Sequence, residues 1–151
     1  MKEKDQIVEM NEAVIAGKQA LASLKKAEES LKHASNWGIA DMLGGGFITD
    51  MLKHSKLREA ENHLEEARIR IRTFQKELRD LEMPHEFYVN VDGFLTFADF
   101  FFDGLIVDWL VQSRIREARE EVEQAIIYVE TVVAELQRWE KQYLQKDSAV
   151  Q

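Results

Sequence analysis

The sequence predicts an all-α protein: an elongated up-down-up bundle of three long, coiled-coil-like helices, with residues 40–82 repeated as 98–140. Three observations carry this. Apolar residues return every three or four positions over long stretches, the spacing that lines one face of a helix. Seven glycines and one proline in 151 residues leave few places to turn. Sliding the chain by 58 positions also brings polar and glycine residues onto their like, which apolar patterning alone would not do.

Helix 1 is expected over about residues 5–33. Ile7, Met10, Val14, Gly17, Leu21, Leu24 and Leu31 mark its seam, and Ala13, Ala20 and Ala27 flank it. A second, weaker stripe at Val8, Ile15 and Ala22 suggests that a further face is covered. Helix 2, about 47–82, is cleaner: Leu57, Ala60, Leu64, Ala67, Ile71, Phe74, Leu78 and Leu81 keep the a/d spacing of a coiled-coil seam. Pro84 stops it, because proline has no N–H to donate and disfavours helical geometry at the residue before it. Helix 3, about 105–146, repeats the pattern with Ile115, Ala118, Val122, Ala125, Val129, Val132, Leu136, Trp139 and Tyr143, and the tail after Lys146 is expected to fray.

A chain of this length is expected to fold as one domain around a single core. Hydrophobic residues at 45% and charged residues at 32% describe a globular chain. The absence of cysteine excludes disulfides, thiol catalysis and cysteine-ligated metals. A net charge of −8 would repel a phosphate backbone, so nucleic acid is not an expected partner. The opening Met1-Lys2-Glu3-Lys4-Asp5-Gln6 does not resemble a secretory signal, and the expected location is cytoplasmic. The most apolar stretch, Phe94–Val111, contains Asp99, Asp103 and Asp108, which argues against a membrane span and disfavours a membrane surface as partner.

More than a third of the 43 repeated positions are identical, among them Ala40/Ala98, Asp41/Asp99, Gly46/Gly104, Ile48/Ile106, Asp50/Asp108, Ser55/Ser113 and Arg58/Arg116. Gly46 and Gly104 would each mark a helix start, and Asp50 and Asp108 would then stand near the positive end of a helix dipole. Together with Ser55, Arg58, Ser113 and Arg116 they form a structural motif rather than a catalytic one. If the duplication is structural, the two repeat-bearing helices should run antiparallel about an approximate two-fold axis. The strings GGGFITDMLKHSKLREA and FFDGLIVDWLVQSRIREA resemble the paired motifs of a family of bacterial all-helical proteins with no established function. The resemblance spans about Trp37 to Glu140 and implies the helical fold and the duplication, not a chemistry.

The sequence offers no catalytic constellation. Glu59 and His63 stand four apart, whereas the Glu-x-x-His pairs of di-iron bundles need three, and the repeat mates of His54 and His63 are Gln112 and Glu121. No metal or cofactor is therefore expected. Gly44-Gly45-Gly46 lacks the Lys-Ser/Thr pair of a phosphate-binding loop. Arg68, Arg70, Arg72, Lys76 and Arg79 make helix 2 locally basic, helix 3 is acidic from Glu117 to Glu135, and the two are expected to lie side by side.

The aromatic segment is the least ordinary feature. Phe94, Phe97, Phe100, Phe101, Phe102, Leu105 and Trp109 form either an end-plug of the bundle or an interaction surface. The expected function is that of a non-enzymatic interaction or scaffold protein that associates with itself as a homodimer, or docks another protein. The alternative is a small-molecule or lipid binder with an aromatic-lined cavity near residues 94–111.

Overall fold

The computed structural model describes the backbone of residues 2–36, 47–112 and 115–150, and the side chains of 5–33, 58–88, 90–100 and 115–146. Among the described residues there is no strand, and four helices account for nearly all of them: α1 Lys2–Asn36, α2 Phe47–Arg79, α3 His85–Gln112 and α4 Ile115–Val150. The three-helix expectation is corrected by α3. The connection between the expected helices 2 and 3 lies mostly within a 28-residue helix, and the helix expected over 105–146 is divided between the end of α3 and all of α4. Phe87, Val91, Phe94 and Ala98 recur at 4-3-4 spacing, and all four are buried. That is a helical seam.

Pro84 both ends α2 and starts α3. The ladder of α2 closes with the Asp80 N–H on the Lys76 carbonyl and the Leu81 N–H on the Leu78 carbonyl. The helix thus stops at Arg79, three residues short of the expected end, and Leu81 still packs into the core. The Pro84 carbonyl then accepts hydrogen bonds from the N–H groups of Phe87 and Tyr88, at 3.1 and 3.3 Å, and so seeds the first turn of α3.

Contacts between helices give the chain direction. Gln6 Nε2 donates to the Glu82 carbonyl and Arg70 Nη1 donates to Gln19 Oε1, so α1 and α2 are antiparallel. Phe87 lies 6.0 Å from Trp139 and Phe97 lies 4.5 Å from Tyr128, ring centre to ring centre, so α3 and α4 are antiparallel as well. Phe74 meets Phe94 at 5.3 Å, and Gln75 Nε2 donates to Asp99 Oδ1 across the α2–α3 hairpin. The chain therefore runs up-down-up-down around a four-helix ring in which α1 touches α2 and α4, and α3 touches α4 and α2. Helices α2 and α4, expected from the sequence to carry a repeat, are parallel and diagonal, contrary to the antiparallel expectation. A helical connection that runs the length of the bundle restores the starting direction before α4 begins.

The core face of α2 recurs on α4 at the 58-residue offset. Ala60/Ala118, Leu64/Val122, Ala67/Ala125, Ile71/Val129, Phe74/Val132 and Leu78/Leu136 are all buried. Helix α1 differs from expectation in detail. Ala13, Ala20 and Ala27 are completely buried at the middle of its inner face, while Ile7 and Leu21 are only half-buried. Because α1 lies between two helices, its inner face spans both contacts, and small residues at the centre let them approach.

Candidate interaction surface

The structure separates the aromatic segment into distinct roles. Phe94 is fully buried against Phe74, a core side chain rather than a surface one. Phe97 is half-buried and stacks on Tyr128. Phe100 is 74% exposed. The side chains of Phe101, Phe102, Leu105 and Trp109 lie outside the described residues, although their backbone continues α3. Within the described part of the segment, Phe94 and Ala98 therefore turn to the core and Phe100 to solvent, on one continuous helix.

Next to Phe97, α3 and α4 enclose an open groove of about 400 Å³, lined by Asn90, Gly93, Gln124, Ile127, Tyr128 and Thr131. Among the described residues no charged side chain lines it. Ile127 is 65% exposed at its edge. A methyl group built on Gly93 would meet no atom within 4 Å, so packing within the chain does not require glycine there. Of the described aromatic residues Phe94, Phe97 and Phe100, none lines the groove, whose described aromatic is Tyr128.

On the opposite side of the ring, α1 presents Val8 at 54% exposure, Ile15 at 47% and an exposed Ala22. The chain leaves this stripe in water, where the sequence suggests a covered face. Both neighbours of α1 are engaged with its inner face.

The residues of the expected repeat motif fall mostly outside the described side chains. Gly46 and Ser113 lie outside the described residues, and Asp50, Ser55 and Asp108 lie on helices with side chains outside them. Arg58 and Arg116 are exposed. Gly104 falls inside α3, not at a helix start, and Asp108 stands near the C-terminal end of that helix. Asp108 thus stands near the negative end of a helix dipole and not the positive end expected from the sequence.

The charged stripes also sit differently from expectation. The basic face of α2 and the acidic face of α4 are diagonal, not adjacent. Arg68 pairs with Glu65 at 2.7 Å, Arg119 with Glu123 at 3.3 Å and Arg138 with Glu135 at 2.9 Å, each within one helix, while Arg79 of α2 lies 3.9 Å from Asp99 of α3. Arg138 also lies over the Phe87 ring at 4.7 Å, which ties α4 to α3. His33 lies 3.7 Å from Glu29 on an exposed face, His63 is half-buried, His85 is exposed, and the His54 side chain lies outside the described residues. Among the described residues no three histidine or carboxylate groups cluster to hold a metal. Nor is any helix among them long and apolar enough to cross a membrane.

No family model, curated protein or solved structure matches the chain.

Proposed function

We propose that this protein is a non-enzymatic helical interaction protein that associates with itself as a homodimer, through apolar side chains its own bundle leaves in water. The observation that carries the reading is the α3–α4 face, where Phe100, Ile127 and Tyr128 stand exposed and half-buried Phe97 stacks on Tyr128. Each such side chain would gain roughly 1.5–3 kcal/mol from full burial, and aromatic anchors around an uncharged groove are the usual centre of an interface. An uncharged lining also suits contact between two molecules that each carry a net charge of −8.

Burial that recurs at 58-residue spacing supports reading α2 and the α3–α4 segment as an internal duplication, and with it the resemblance to the bacterial helical family. A cytoplasmic location agrees with a chain free of cysteine. The second reading, a small-molecule binder, draws on the groove, whose volume of about 400 Å³ falls within the usual range of ligand sites. Its openness favours a protein partner over an enclosed ligand. Sedimentation velocity at micromolar concentration tests the proposal. The wild type should sediment as a dimer and Phe100→Glu should shift it toward monomer; a wild type that stays monomeric across the concentration range ends the reading.

A further inference from the structure

We draw no further inference here: the strongest candidate, the exposed stripe of Val8, Ile15 and Ala22 on the outer face of α1, is an unpartnered apolar face, and nothing in the structure shows what covers it.

Discussion

Gly17 of α1 lies so close to Val133 of α4 that a methyl group built on it would stand 2.5 Å from Val133 Cγ2 and 2.9 Å from the Phe74 ring of α2. The three helices meet at this point. Neither neighbour yields easily, since valine is stiff about χ1 and the Phe74 ring is fully buried.

Gly17→Ala should therefore destabilise the fold by about 1–2 kcal/mol, because overpacking outweighs the helix-propensity gain of about 1 kcal/mol. Gly93→Ala, in α3, enters open space and should stabilise by about 0.5–1 kcal/mol. Urea denaturation of both variants decides the matter, and the same sign for the two would refute the packing argument.

Two phenylalanines six residues apart should behave in opposite ways. Phe94→Ala empties a core site against Phe74 and should cost about 3–5 kcal/mol. Phe100→Ala should change the stability of the dilute monomer by no more than about 0.5 kcal/mol, its effect appearing instead in self-association.

The parallel arrangement of α2 and α4 places Arg58 and Arg116 at the same end of the bundle. Spin labels on Arg58→Cys and Arg116→Cys should report a separation of about 15–25 Å, since neighbouring helix axes lie ~8–10 Å apart and diagonal ones somewhat farther. An antiparallel pair would put the labels more than about 30 Å apart.

Chelation should leave the protein unchanged. With no cluster of histidine and carboxylate groups around His63 among the described residues, EDTA is expected not to move the melting temperature. A clear drop would reveal metal bound to the native state, because such binding raises its stability.

The all-helical class, the buried faces of α2 and α4 and the stop before Pro84 were legible in the sequence. Each rests on local chemistry: helical spacing from Ala60 to Leu78 and from Ala118 to Leu136, and the missing N–H of proline. The seam of α3 at Phe87, Val91, Phe94 and Ala98 was equally present. It was obscured because the following residues are apolar on nearly every side, and a helix apolar all round loses its periodic signal.

By itself the sequence determined which residues of α2 and α4 turn inward, because the inward face of a helix is set by a period of 3.6 along one segment. Only the tertiary structure decided what each face meets: α1 between two helices and not one, α2 parallel to α4, Phe94 in the core and Phe100 in water. Those outcomes depend on where distant segments lie, and a helix seam looks the same whichever helix fills it. The distinction holds for the two glycines as well. Gly17 and Gly93 are both mid-helix residues in the sequence, and only the neighbours brought by folding make one indispensable and the other replaceable.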